Sequence, residues 1–458
     1  MTTTTTTETT HPFISSAELA RRYLAFFTAH GHREIPGAPL AVPGTTTSFI
    51  IAGMQPLLPY LRGEVAPPAP RLTDLQRCLR TDDIEAVGTN GRKITSFQML
   101  GNWSVGDYGP REAIALALEF LDELRVDRGS LWMTTFGGDT KLGLPPDTLA
   151  VEEWRRAGIS PERIVPLGAE DNLWSTGGPG PCGPCTEIHV DRGEALGCGR
   201  PECKPGCECE RFLEIWNLVF IMYELTTGGR YVPLPFRSVD TGMGLERTVA
   251  VLQGVPTVFD TDIFVPGFAR LAELAPVEEG VEDGGEDARH TLARRIVVDH
   301  ARAALFAGLA GVLPDRDGRG SVLRRLIRRA ARQGRVLGLE RPFLGELLGP
   351  LAEGHSGLLS DDEQARVLEV ARMVTDEERR FTRVLTTGLR TLETLEPDAD
   401  GRIDGERLFV LHAERGFPAD LAREILAERG LTVDWQGYER ALAEHHTISR
   451  AGLEREEE

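Results

Sequence analysis

No apolar run in this 458-residue chain reaches the length of a membrane-spanning helix, so no membrane role is expected. The start, M-T-T-T-T-T-T-E-T-T, lacks the basic and apolar regions of a secretory signal. Residues 1–12 read as a disordered tail. Positive charge is in deficit: 51 Lys and Arg face 70 Asp and Glu, giving a net charge of -19. Bulk charge therefore does not mark a nucleic-acid binder; DNA is not an expected partner, and any RNA contact must come from a local patch. Cysteine is scarce, at seven, and most of it is bunched between Cys182 and Cys209. That spacing fits a metal in a reducing cytoplasm better than disulfides. No internal repeat is visible. Length predicts two or three domains, and 41% hydrophobic residues support large cores.

The most informative segment is S-V-D-T-G-M-G-L-E-R, Ser238 to Arg247. It places Asp240 at the end of a predicted strand, Gly242 and Gly244 where backbone can approach a ligand, and Arg247 at the opening of a helix. A carboxylate suits an ammonium group, and an arginine beyond glycines suits a phosphate tail. A second segment, Arg71 to Tyr108, reads as strand, long turn and strand, with Asn90-Gly91 marking the turn. Arg80 ends the first strand and is expected beside Phe97 and Met99 of the second. An arginine next to an aromatic platform suits a nucleotide. Glu214 to Phe220 reads as a buried strand with one uncharged polar side chain, Asn217, among apolar ones.

Cys198, Cys203, Cys207 and Cys209 have C-x4-C-x3-C-x-C spacing in a Gly/Pro-rich loop. Four thiolates there suit a closed tetrahedral Zn²⁺ site; Cys182 and Cys185 are alternative contributors. Residues 13–275 mix short apolar runs with turns, as an antiparallel sheet flanked by helices does. Pro110 marks a helix start. The acidic, glycine-containing stretch at 276–289 reads as a linker, and helical periodicity dominates 290–458. There Arg324, Arg325, Arg328, Arg329 and Arg332 lie opposite an apolar face. They are either an RNA contact or a solvated face paired with acids.

Q-R-C-L-R with its hairpin, V-D-T-G-M-G-L-E-R, G-P-C-G-P-C-T-E-I, E-I-W-N-L-V-F and R-G-S-V-L-R-R-L-I-R-R-A together resemble blocks of the alanyl-tRNA synthetase family, from about Phe13 to Ala451. The resemblance implies an α+β fold: a class II synthetase antiparallel sheet flanked by helices, then an all-α tRNA-recognition-like domain. It implies ATP-dependent formation of an aminoacyl adenylate, with Mg²⁺ accompanying ATP and Glu214 as its candidate ligand. Arg80 is expected to hold the α-phosphate and attacking carboxylate, Arg247 the γ-phosphate end, and Phe97 and Met99 the adenine. Trp174, Asn217, Val219, Asp240 and Gly242 match the family's amino-acid pocket.

Three departures concern the acceptor. The chain stops near Glu458, where family members continue into an editing domain, so that domain is expected to be missing. The family's D-G-V-x-P-S-N-x-x-R-G-Y is A-G-V-L-P-D-R-D-G-R-G-S here, placing Arg316 or Gly318 at the asparagine. The family's L-Y-D-x-x-G-F-P is L-H-A-E-R-G-F-P, placing Ala413 at the aspartate. In the family those two side chains read the G·U pair of alanine tRNA. The leading expectation is therefore an amino-acid-activating enzyme with an altered acceptor, either a small-molecule amine or amide or a non-alanine tRNA. The alternatives are an alanine–tRNA ligase trimmed before its editing domain and a non-catalytic binding paralogue. Intact Arg80, Asp240 and Arg247 argue against the last.

Overall fold

The computed structural model of the chain describes residues 13–42, 48–82, 84–175, 178–275 and 288–456. The expected tail and nearly all of the expected acidic linker lie outside them. The strands are β1 (Arg33–Glu34), β2 (Arg71–Leu79), β3 (Ser96–Val105), β4 (Leu131–Phe136), β5 (Ile164–Leu167), β6 (Leu173–Trp174), β7 (Gly180–Asp191), β8 (Phe212–Leu225) and β9 (Tyr231–Gly244). They form one sheet in the order β1-β2-β3-β9-β8-β7-β4-β5, with β6 paired to β7. The centre is antiparallel, as expected; the edge pairs β1–β2 and β4–β5 are parallel.

Strand alternation decides what each face carries. Along β8, Trp216, Leu218 and Phe220 turn to one face, and Ile215, Asn217 and Val219 to the other. The first set packs under α1 (Ser16–Ala29) and α3 (Pro110–Glu123). Tyr23 and Phe120 bring their rings 5.7 and 6.1 Å from Trp216. Pro110 sits in the first turn of α3, where no helical N–H is needed. Between these helices lies α2 (Leu58–Leu61), and α4 (Thr148–Arg156) and α5 (Ala169–Asn172) follow.

The sequence places Asp240 at a strand end, but β9 runs on to Gly244. Pairing to β3 continues as far as Met99↔Gly244, so the carboxylate sits inside the sheet. Then α6 (Leu245–Leu252) and α7 (Val265–Leu274) close the sheet half.

In the helical half, α8 (Ala288–Leu309) is buried without interruption from Ile296 to Leu309. It packs on α9 (Gly318–Val336), α10 (Leu344–Gly354) and α11 (Asp361–Glu393). Beyond them lie α12 (Gly405–Arg415), α13 (Ala419–Glu428) and α14 (Trp435–Glu456). The expected all-helical region carries one addition, a two-residue parallel pair, Arg402–Ile403 against Thr432–Val433. The two halves meet through Arg302 of α8, which is fully buried. It donates to Glu246 of α6, to the Ser96 carbonyl of β3, and to His355 Nε2 at 3.0 Å.

Candidate active site

The sheet face turned away from α1 and α3 opens into a cavity of about 540 Å³. Arg80, Phe97, Met99, Trp174, Asn217, Val219, Asp240, Gly242 and Arg247 all line it, so the nine sequence-predicted substrate residues are gathered in one place. The register explains this. Cys78↔Phe97, Met99↔Gly244, Gly101↔Gly242, Asn217↔Gly242 and Val219↔Asp240 are paired neighbours on one face.

Arg80 lies just past β2. Its backbone N–H donates to the Thr95 carbonyl at 2.9 Å, closing the hairpin. Its guanidinium lies 4.8 Å from the Phe97 ring centroid and donates through Nε to the Ile51 carbonyl at 3.1 Å. Arg247, in the first turn of α6, donates to Glu214 Oε2 at 2.6 Å. Burial raises the Glu214 carboxyl, but Arg247, His189 and Arg80 together outweigh it, and the group lies below its usual range. Glu214 thus holds an arginine here, not only a place open to a cation.

Asp240 is 6% exposed. Burial pushes its carboxyl up to about 7, against the hydrogen bond it accepts from Trp103 Nε1 at 2.7 Å. On the adjacent strand, Asn217 Oδ1 is buried without a hydrogen-bond partner, while its Nδ2 reaches Glu187 at 3.5 Å. The sheet floor of the site therefore holds two buried acceptors, one ionisable and bonded to Trp103, the other without a partner and so costly to bury.

Gly242 differs from its expected use. A Cβ there would lie 2.6 Å from the Met99 sulfur, so its missing side chain makes room for Met99 as well as for a ligand. Trp103 is missed by the sequence reading, although it lies in the quoted hairpin segment. It continues the same period-two row as Phe97, Met99 and Gly101, and its indole lies across Gly101, where a Cβ would meet it at 1.9 Å. Arg92, Lys93 and Glu187 are further lining residues not singled out.

The Cys198, Cys203, Cys207 and Cys209 thiols lie within 4.8 Å of one another. Cys198 and Cys207 sulfurs are 3.7 Å apart, and Cys203 and Cys209 sulfurs 3.5 Å. A tetrahedron with Zn–S of about 2.3 Å needs sulfurs about 3.8 Å apart, so the cluster is compatible with zinc. Arg200 donates to Cys198 at 3.3 Å and draws its thiol down to about 6. Cys182 and Cys185 are buried on β7 and lie outside the cluster. The loop also touches the hairpin: Arg92 donates to the carbonyls of Glu208 and Cys209, each at 3.2 Å.

A second cavity, about 580 Å³, opens between α9 and the α12–α13 pair. Arg316, Arg324, Arg325, Arg328, Arg329, His412 and Ala413 line it. Gly318 instead starts α9, and Arg332 is buried away from the opening. The arginine row is not a plain outer face. Arg324 and Arg328 share Glu377, at 3.3 and 2.9 Å, Arg325 meets Glu85 at 3.0 Å, and Arg329 is 8% exposed. The helical spacing is as expected, but neighbouring elements cover part of the polar side.

A model described as "tRNA synthetases class II (A)" covers residues 18–458, and the chain belongs to that family. Among curated relatives, alanine–tRNA ligase of Desulforudis audaxviator (strain MP104C) is 43% identical over 445 residues, 96% of this chain and 49% of that protein. Alanine–tRNA ligase of Desulforamulus reducens is 42% identical over 452 residues, 97% of this chain and 50% of that protein. The chain spans about half the length of the curated relatives it matches. No helix among the described residues is long and apolar enough to cross a membrane.

Proposed function

We propose that this chain activates an amino acid with ATP, forming an aminoacyl adenylate and pyrophosphate, and then passes the aminoacyl group to an acceptor in the helical cleft. One observation carries the reading: Arg80, Phe97, Asp240 and Arg247 line a single cavity on one sheet face. The amino acid's ammonium group meets Asp240 and the free Asn217 Oδ1. Its carboxylate is then held toward Arg80. Phe97 and Met99 flank the adenine, while Arg80 and Arg247 fix the two ends of the triphosphate. Attack by the carboxylate on the α-phosphorus builds negative charge, which the pre-placed Arg80 guanidinium stabilises without reorganising. Mg²⁺ brought with ATP would supply further charge neutralisation, and Glu214, beside Arg247, would be a carboxylate to hold it. The four cysteines would hold zinc as a structural site, shaping the loop that Arg92 ties to the hairpin.

For the acceptor, the arginine-lined cleft favours an RNA over a small amine or amide. Arg316 and Ala413 line that same cleft, and neither offers the hydrogen-bonding amide or carboxylate that the family resemblance calls for. Recognition of alanine tRNA through its G·U pair is therefore absent. ATP–pyrophosphate exchange across the amino acids, with and without tRNA, tests the first step; no exchange above background with any amino acid would sink it. Charging of alanine tRNA and its G·C variant tests the second. Efficient charging of the former with strong loss on the latter would overturn the altered-acceptor reading.

A further inference from the structure

Three buried polar side chains beyond the activation cavity link two helices to the hairpin that carries Arg80. Asp299 and His300 of α8 are 1% and 0% exposed, and Arg329 of α9 is 8% exposed. Asp299 Oδ1 accepts from the Thr95 backbone N–H at 2.9 Å. Its other oxygen lies 2.8 Å from His300 Nδ1. His300 Nε2 lies 3.0 Å from Arg329 NH1, which also donates to the Ile84 carbonyl.

These partners fix the state of the ring. The carboxylate requires a proton on Nδ1, and the guanidinium requires a lone pair on Nε2. Burial holds the imidazole below its ordinary range, consistent with that neutral tautomer. The row thus has one polarity from end to end: guanidinium, imidazole, carboxylate, peptide N–H.

Both ends of the row close on the same hairpin. Ile84 lies near the start of the loop and Thr95 at its end. The Thr95 peptide is gripped on both sides, its N–H by Asp299 and its carbonyl by the Arg80 N–H at 2.9 Å. Phe97, under the Arg80 guanidinium, is two residues further on.

We propose that Asp299, His300 and Arg329 are positioning residues for amino-acid activation: the helical half holds the Arg80 hairpin in its working geometry even when no acceptor is present. Because Arg329 also lines the helical cleft, the wall of the acceptor site and the scaffold of the activation site share one side chain. The kinetic part rests on the activation reading above; the structural part does not.

The test uses the full chain and no acceptor. Asp299→Asn keeps an acceptor for Thr95 but turns an amide N–H toward His300, forcing the ring into the tautomer that opposes Arg329. Arg329→Lys keeps the charge and loses the fork, and it serves should the first variant fail to fold. Each is expected to lower kcat for ATP–pyrophosphate exchange by roughly tenfold to a hundredfold, as small misplacements of a reacting group do, with KM for the amino acid changed less than about twofold. The double variant is expected to be no worse than the poorer single one, because both break the same row. Amide hydrogen exchange over residues 84–96 is expected to quicken in each variant. Wild-type exchange kinetics in both single variants, multiplied losses in the double, or unchanged amide protection would overturn the proposal. If the unaltered chain activates no amino acid, the activation reading fails, and amide protection alone still decides the positioning role.

Discussion

The activation cavity and the helical cleft have similar volumes, about 540 and 580 Å³, but they are built differently. In the first, strands set the side chains. Alternation and register bring Asp240, Asn217 and Val219 to one face, and an acceptor such as Asn217 Oδ1 is left without a partner inside the protein. In the second, long arginines reach out from one helix and meet acids of other segments, Glu377 and Glu85. An ammonium group entering the first cavity meets Asp240 and Asn217, and a phosphate meets Arg80, stacked on Phe97, and Arg247, already paired with Glu214. A phosphate entering the second must compete with carboxylates already in place. Counting arginines on a helix therefore overstates what that helix has to offer a phosphate.

The sharpest way to break this comparison is Arg80→Ala against Arg324→Gln in adenylate formation. Arg80→Ala is expected to lower the rate by about 10²–10³, as loss of one transition-state donor does. Arg324→Gln is expected to leave it unchanged within about twofold, since Arg324 pairs with Glu377 rather than with the hairpin. Equal losses would show that the two cavities do not work as separate sites.

Next in size is Asp240→Asn. Removing the charge that meets the ammonium group should raise KM for the amino acid by about 10–100-fold, the range for a hydrogen bond to a charged group. The same residue sets a pH dependence. Its carboxyl is pushed up to about 7, so below that pH it is protonated and cannot pair with a cation. KM should therefore rise as pH falls below about 7 and level off above it, and this slope should vanish in Asp240→Asn. For stability the sign is opposite. The folded form binds the extra proton between the ordinary carboxyl range and about 7, so without amino acid the chain loses stability as pH rises through that window.

A smaller effect is expected from the metal. Elemental analysis should find one zinc per chain, and Cys203→Ser should lose it. Because Arg92 reaches from the hairpin to the Glu208 and Cys209 carbonyls, stripping the metal should also slow activation by roughly severalfold and lower the melting temperature. Metal-free protein with full activity would separate the loop from the site. The smallest effect belongs to the cleft: Arg324→Gln should reduce the salt dependence of RNA binding by about one unit of slope.

The strand-built site was partly legible because period two and hairpin pairing are local rules. Phe97 and Met99 could be placed on one face from spacing and turn signals, and Asp240 joined them through the family resemblance. Trp103 follows the same row, but nothing in the spacing reveals that its N–H meets Asp240. The position of Asp240 inside β9 depended on pairing to β3, which is a long-range fact. Arg329 was less legible still. Helical periodicity sorts residues by polarity, and an arginine counts as polar whether it meets water or His300. Its burial depends on α8 and on the hairpin, which helical spacing does not encode.

Arg302 carries a consequence for how the chain can be divided. Its guanidinium is fully enclosed and divided among Glu246 and Ser96 from the sheet half and His355 from the helical half. Splitting the chain between α7 and α8 would strand that charge in one fragment and the Glu246 carboxylate in the other, and stranding a buried charge costs about 3–5 kcal/mol. A sheet half produced alone would lack the cation that neutralises Glu246, the residue just before Arg247. The two halves should therefore depend on each other, and a chain cut between α7 and α8 is expected to lose the fold around Arg302 on both sides rather than release an independent sheet module.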